Sequence, residues 1–489
     1  MLFSELIKNL KYEGTFKDFE VSAVTGDSRQ EIEKNCVFVC IKGFQLDGHI
    51  FAKDVLERGA GAVVVERDMG LSNQIIVKNT REAYALMCCE YFDNPSRKLK
   101  LIGVTGTNGK TTITNVISQI LKNNGKKVGL IGTIENIIDT LHIPAKHTTP
   151  DPLELNSLFS RMVSAGCEYA VMEVSSHALD QHRLDGCEFD IGVFTNLTQD
   201  HLDYHGTMEN YFEAKSKLFS LCKTAVVNID DVYGIKLTET LKEKNICDVI
   251  TFSCEKDNAD YTAKNIILSA DGVKFAFVGK DTIEKVKFCM PGNFSVSNAM
   301  ASLCATIYGG LSAEESAKGI CQCDGVRGRT EVLYADDDYT IICDYAHTPD
   351  GLEKILSAVR GFAKGRVVTL FGCAGNRDAT KRPKMASTVA KASDFVILTS
   401  DNPRSEPAGK IIEDATAGFR GINTPFIAIE DRYTAIEWAI DNMRKDDILV
   451  LAGKGHEDYQ VLSFGTIGFD EHKIVKDLIN KNGVGRAVK

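Results

Sequence analysis

The segment Thr105-Gly106-Thr107-Asn108-Gly109-Lys110-Thr111-Thr112 has the residue types and spacing to hold a nucleoside triphosphate. It follows an apolar run, Leu101-Ile102-Gly103-Val104. It precedes a stretch in which Val116, Ile117, Ile120 and Leu121 share one helical face. A strand, a glycine loop, Lys-Thr and a helix point loop amides and a helix N-terminus at phosphate oxygens. Lys110 then meets the β- and γ-phosphate charge, and the Thr111 hydroxyl can ligate Mg²⁺. The strict pattern has a glycine five residues before Gly109, where this chain carries Val104.

Other chemistry-bearing residues sit at the ends of apolar runs. Glu173 closes the run Ala170-Val171-Met172, where a carboxylate beside a phosphate loop can hold or orient Mg²⁺. Thr198 to His205 carries two histidines and two acids in a short stretch, which suits a cation or a phosphate. Further on, Asp344-Tyr345-Ala346-His347, Gly372 to Arg377, Ser400 to Arg404 and Gly453 to Glu457 each follow an apolar strand candidate. Strands of a parallel sheet open at their carboxyl ends onto one edge, so these four motifs predict a site for a small, multiply charged molecule. Some residues are locally quiet. Lys215 reads as a surface lysine on a helix, Thr148-Thr149-Pro150 and Gln181-His182-Arg183 read as polar turns, and Arg329 either reaches a nucleotide or pairs with Glu331.

The elements that must position these residues fall into three blocks. Residues 1 to about 98 mix short strands, including Phe38 to Ile41 and Gly61 to Val65, and end at a polar break around Pro95. A second block alternates strands and helices, with strands at Lys127 to Ile131, Tyr169 to Val174, Phe189 to Thr195 and Ala225 to Asn228. It closes at the glycine- and arginine-rich Gly325 to Arg329. The third block has strand candidates at Thr340 to Cys343, Arg366 to Phe371, Phe395 to Thr399, Phe426 to Ile429 and Ile448 to Ala452.

Composition narrows the class. A chain of 489 residues suits about two to four domains. With 44% hydrophobic and 25% charged residues it reads as globular and soluble. With no bilayer-length apolar run and no secretion-type N-terminus, the expected location is cytoplasmic and not membrane-embedded. A net charge of −10 argues against nucleic acid as a partner. The 15 cysteines lack metal-site spacing and read as reduced thiols, and Trp438 reads as core.

Taken together, these motifs resemble the Mur ligases, ATP-dependent amide-forming enzymes of peptidoglycan precursor synthesis. The likeness rests on their order along the chain: Asp27-Ser28-Arg29, Asp47-Gly48-His49, the phosphate loop, His147 to Pro150, Glu173 to His177, Asp200 to Asp203, Asp344 to His347 and Gly455-His456-Glu457. It implies an α/β chain of three domains: a smaller uridine-diphosphate-binding α/β domain over 1–98, a central P-loop-type doubly wound ATP domain over 99–327, and a C-terminal Rossmann-like amino-acid domain over 328–489.

The resemblance also implies roles. Ser28 and the stretch around His49 bind the uridine diphosphate end, and Thr148, Thr149, Ser175, Gln181 and Arg183 hold the muramoyl dipeptide. Gly106 to Thr112 grip ATP, with Asn298, Arg329, Asp344 and His347 completing its site. Thr111 serves a first Mg²⁺; Glu173, His201 and a carbamylated Lys215 serve a second. Carbamylation needs a neutral amine, hence a depressed lysine pKa. Asp401-Asn402-Pro403-Arg404 resembles the motif of members that add meso-2,6-diaminopimelate. Arg404 suits the distal carboxylate, Arg377 a second carboxylate contact, and Asp401 and Glu457, beside Asn402 and Gly453, the distal ammonium. The expected partners are therefore ATP, the UDP-MurNAc-dipeptide and diaminopimelate, acting on a monomer. The L-lysine-adding ligase, folylpolyglutamate synthetase and a nucleotide-dependent binding protein are the rivals.

Overall fold

The computed structural model describes residues 1–43 and 46–481. The chain divides into two compact units, Met1–Thr262 with Met300–Gly319, and Ala263–Ala299 with Ile320–Lys489. The helix Asn293–Tyr308 runs through both stretches of sequence.

Within the first unit, the N-terminal sheet has five strands in the order Tyr12–Glu13, Gln74–Val77, Ala62–Val65, Val37–Val39, Val24–Thr25. Ala62–Val65 and Val37–Val39 are buried throughout, as near-continuous apolar runs in parallel sheets are. The helix Thr80–Tyr91 covers this sheet, capped by the Asn79 side chain, which accepts from the amides of Arg81 and Glu82.

The larger sheet of the same unit runs Asp248–Ser253, Cys222–Asn228, Phe189–Phe194, Lys100–Thr105, Tyr169–Glu173, Val128–Ile131, all parallel, then two antiparallel strands, Glu135–Ile138 and Leu141–Pro144. Chain order reverses around Lys100–Thr105. Its two neighbours are Tyr169–Glu173 and Phe189–Phe194, so the crevice of a doubly wound sheet opens there. The motifs that follow Thr105, Glu173 and Phe194 thereby leave the sheet side by side.

The second unit is built on a six-stranded sheet in the order Glu331–Ala335, Tyr339–Asp344, Asp447–Ala452, Val367–Cys373, Phe395–Ser400, Phe426–Ala428, parallel except for the first pair. Its middle strands are buried end to end, and two apolar clusters lie on its faces. Trp438 stacks on Phe395, with ring centroids 5.6 Å apart. The fold expected for each block is present. The hairpins Gly272–Gly279 with Thr282–Phe288 and Tyr459–Leu462 with Gly465–Gly468 lie outside the sequence reading. Among the described residues, no helix is long and apolar enough to cross a membrane.

Candidate active site

In the first unit the site grows from the end of the strand Lys100–Thr105. Gly106 has φ +147°, and a Cβ there would lie 1.9 Å from the Thr195 hydroxyl oxygen, so only glycine fits. The loop is stitched to the exit of the neighbouring strand. Thr107 N donates to Asn196 O (2.9 Å), Asn108 N to Asn196 Oδ1 (3.0 Å) and Thr195 Oγ1 to Asn108 O (2.6 Å). Gly109, at φ +89°, turns the chain into the helix Lys110–Asn123. The ammonium of Lys110 folds back on the carbonyls of Gly106 (2.8 Å) and Thr107 (2.9 Å).

Lys215 overturns its sequence reading. The lysine expected at the surface is 1% exposed, on the helix Met208–Ser216. Its Nζ donates to Gly106 O at 2.8 Å, the carbonyl that Lys110 also uses, and lies 4.7 Å from the Tyr211 ring centroid. Burial, reinforced by the Lys110 charge and opposed by Asp200, holds its pKa well below the ordinary lysine value. Helical periodicity carries no sign of this, because Lys215 meets a loop 109 residues away in sequence.

Glu173 is 1% exposed and forms the hub. Its Oε2 accepts from the Thr111 hydroxyl (2.9 Å) and the Thr133 hydroxyl (3.1 Å), and its Oε1 from Thr133 N (2.7 Å). Thr133 bonds Thr148 hydroxyl to hydroxyl (3.0 Å). Thr149 donates to Glu173 O (2.9 Å) and accepts from Ser175 N (3.0 Å). Arg183 donates to Thr149 O (2.8 Å) and to Gln181 Oε1 (2.8 Å). The quiet residues Thr148, Thr149, Ser175, Gln181 and Arg183 therefore form one network with the phosphate loop. His201, at φ +52°, lies beside them with its ring 4.9 Å from that of His177. Thr133 and Tyr211 are absent from the sequence reading; Thr133 lies two residues past the end of the strand Val128–Ile131, close to the strand-end signal that marks Glu173.

The oxygen donors Thr111 and Glu173 suit Mg²⁺, which takes few protein ligands and keeps water and phosphate oxygens for the rest. No group of three His, Cys, Asp or Glu side chains converges on a metal position among the described residues. In the N-terminal sheet region, Ser28 is half-buried and its carbonyl accepts from Arg58 (3.0 Å). His49 is 1% exposed. Its Nδ1 bonds Asp47 (2.6 Å) and its Nε2 accepts from Glu66 N (2.9 Å), so both ring nitrogens are spent inside the domain.

The second unit gathers a different set. Asp344 is buried; its Oδ2 accepts from Thr330 N (2.7 Å) and its Oδ1 from Ala346 N (2.7 Å). Burial nonetheless pushes this carboxyl up. The Arg329 guanidinium lies 4.8 Å over the Tyr345 ring, and His347 and His456 flank the same ring at 4.7 Å. Asn298, also in this unit, is buried on its helix.

The strand ends beside Asp344 present the remaining charges. The loop Asp401 to Arg404 rests on Gly375, whose amide donates to Asn402 O (2.9 Å) and whose carbonyl accepts from Arg404 Nη1 (2.8 Å). Arg404 adopts φ +55°, a conformation that costs a non-glycine residue about 1 kcal/mol or more. Asp401 is 7% exposed, with Oδ1 bonded to Asn402 N and Oδ2 buried without a partner. Gly453, at φ +111°, comes so close that a Cβ would lie 2.9 Å from that oxygen. Asn402 donates to Glu457 Oε2 (3.0 Å), while Arg377 is exposed at the rim. Beneath them Arg432, wholly buried and paired with Glu471 (2.7 Å), donates to the carbonyls of Ser400 (3.4 Å) and Ala452 (2.9 Å). It laces together the strand ends that carry Asp401 and Gly453, and nothing local in the sequence marks it.

Known proteins resemble this chain along most of its length. The Mur ligase middle domain matches residues 104–306, and the Mur ligase glutamate ligase domain matches 328–455. The chain is 44% identical over 485 residues to UDP-N-acetylmuramoyl-L-alanyl-D-glutamate--2,6-diaminopimelate ligase of Caldanaerobacter subterraneus subsp. tengcongensis, covering 98% of this chain and 99% of that protein. It is 43% identical over 488 residues to ligase 1 of the same description from Clostridium acetobutylicum, covering 98% of this chain and 100% of that protein. A solved structure of a UDP-N-acetylmuramoyl-L-alanyl-D-glutamate--2,6-diaminopimelate ligase superposes with a TM-score of 0.73 at 33% identity, over 95% of each chain. With both domain models matched and full-length relatives at this identity, the chain belongs to the Mur ligase family.

Proposed function

We propose that this chain is an ATP-dependent ligase that joins meso-2,6-diaminopimelate to the D-glutamyl γ-carboxylate of UDP-N-acetylmuramoyl-L-Ala-D-Glu in peptidoglycan precursor synthesis. The relatives named for this reaction align along essentially the whole chain. The observation in this chain that carries the choice of amine is that one short loop bears both a buried Asp401 oxygen with no protein donor and the Arg404 guanidinium. A cationic and an anionic end are thus expected of the same ligand, and L-lysine has no distal carboxylate for Arg404.

The residues divide the reaction. A carboxylate does not acylate an amine at neutral pH, because oxide is a poor leaving group. Transfer of the ATP γ-phosphoryl to the γ-carboxylate forms an acyl phosphate and releases ADP. The amine then attacks, loses a proton, and expels phosphate through a tetrahedral oxyanion. The amides of Gly106 to Thr112 and the Lys110 ammonium hold the triphosphate, for which Lys110 exchanges its loop carbonyls for phosphate oxygens. Arg183, Gln181, Thr148, Thr149 and Ser175 position the peptide carboxylate. Arg329, Asp344, His347 and Asn298 are assigned to the nucleoside, and Ser28 with the His49 stretch to the uridine diphosphate.

Thr111 and Glu173 would hold one Mg²⁺, and Glu173, His201 and a carbamate on Lys215 a second. Bound there, Mg²⁺ supplies charge screening between phosphate and carboxylate. The depressed Lys215 supports the carbamate: a neutral amine adds to CO₂ and releases one proton, giving an anion beside Lys110. Domains divided at 98/99 and 327/328, a monomeric state and a cytoplasmic location complete the proposal. The test is phosphate release with the UDP-linked dipeptide, comparing diaminopimelate with L-lysine. Release with diaminopimelate alone is expected. Release with lysine instead would keep the ligase and overturn the amine assignment.

A further inference from the structure

Lys454 has no role in the reading above, yet it is the most fully buried amine of the second unit's site, at 0% exposure. Its Nζ donates to Asn402 Oδ1 (2.7 Å), Tyr459 O (2.8 Å) and Glu457 Oε2 (3.2 Å). Those three bonds use all three ammonium hydrogens, so Lys454 has none for a substrate carboxylate and acts only through its partners. Asn402 Oδ1 also accepts from Val461 N (2.9 Å). With its acceptor held from two sides, the amide keeps one orientation and its Nδ2 faces Glu457. Glu457 Oε2 then has two donors, while Oε1 has no protein donor among the described residues.

We propose that Lys454 is a positioning residue of the amine pocket: it locks Asn402 and Glu457 and brings the ammonium-facing group of Asp401, Glu457 and Lys454 to a single net negative charge, matched to one substrate ammonium, with Arg404 left for the substrate carboxylate. The inference rests on the reading that this pocket takes the amino acid. Two carboxylates, Asp401 and Glu457, face one internal cation, and the Arg432–Glu471 pair beneath is neutral in sum. Each carboxylate keeps one oxygen without a protein donor, Asp401 Oδ2 and Glu457 Oε1. Without Lys454, two uncompensated carboxylates would share a partly buried space, which favours protonation of one of them and loss of an acceptor. The Tyr459 hairpin bond alone would make Lys454 a mere anchor, and the two roles separate experimentally.

The experiment is steady-state phosphate release by the full-length enzyme with Lys454→Met, Glu457→Gln, the double variant and Arg404→Ala. Lys454→Met is expected to raise the diaminopimelate KM by at least about tenfold, the scale of a charge-assisted bond, while the ATP KM moves less than about twofold. Because Lys454 acts through Glu457 as well as Asn402, its loss is expected to cost less than about tenfold in the Glu457→Gln background, so the two losses do not multiply. A Lys454→Met KM within about threefold of wild type, or a double variant tenfold worse than Glu457→Gln, overturns the proposal. If Lys454→Met fails to fold, the double variant, which leaves no unpaired charge at Glu457, carries the same comparison. If Arg404→Ala and Glu457→Gln also leave the diaminopimelate KM unmoved, the pocket assignment itself fails rather than the role of Lys454.

Discussion

Gly375→Ala is the sharpest probe of how the amine site is held. A Cβ on Gly375 would lie 1.9 Å from the Pro403 carbonyl oxygen and 2.7 Å from its carbon, both backbone atoms. No side-chain rotation relieves that contact. The loop must retreat by at least about 1 Å to reach even the shortest Cβ contact real proteins show. The retreat strains the bonds from Gly375 N to Asn402 O and from Arg404 Nη1 to Gly375 O, and moves Asn402 and Arg404 together. A misplacement of about 1 Å in a positioning element costs on the order of 100-fold. We therefore expect kcat/KM for diaminopimelate to fall about 100-fold, with the ATP KM nearly unchanged, since the strained bonds join the loop to Gly375 and to no residue assigned to ATP. The assay is phosphate release with each substrate varied in turn, alongside a thermal melt to show that the variant folds. A folded variant with kcat/KM within about threefold of wild type would refute the claim that the loop geometry sets amine binding.

Arg404→Ala should weaken diaminopimelate by about 10- to 100-fold and ATP by less than about twofold, read from the same kinetics; equal losses would remove Arg404 from the amine site. Lys215→Ala should lower kcat at least about 100-fold, while calorimetry shows the UDP-linked dipeptide still binding; an active variant would end the carbamate assignment. His456 lies against Arg329, Arg327 and His347, and burial with these charges lowers its pKa to about 4, against the opposing pull of Asp458. A group depressed in the folded state contributes stability that is full above its unfolded value of about 6.5 and is lost as pH falls toward 4. Chemical denaturation between pH 7 and 4 should show this loss, bounded at about 3 kcal/mol and reduced by partial exposure, and His456→Gln should flatten it. An unchanged pH slope in that variant would place the titration elsewhere.

Local pattern along the chain already encodes part of the site. The run Leu101–Val104, the glycine loop and the helical face of Val116 to Leu121 specify strand, cradle and helix within about twenty residues, because period and turn chemistry act between near neighbours. Glu173, Asp344 and Asp401 are legible for a similar reason, since a polar residue that ends or directly follows a buried strand must emerge at the sheet edge. What those residues meet depends on how distant segments pack. Lys215 looked like any helix-surface lysine until its helix packed on Gly106, and its burial and depressed pKa exist only through that contact. Arg432 joins Ser400 to Ala452, and Lys454 joins Asn402 to Tyr459, partners drawn from separate strands and a hairpin that no periodicity announces. Desolvation and hydrogen bonding depend on distance in space, and strand order in a crossover sheet, which the local pattern leaves open, sets those distances.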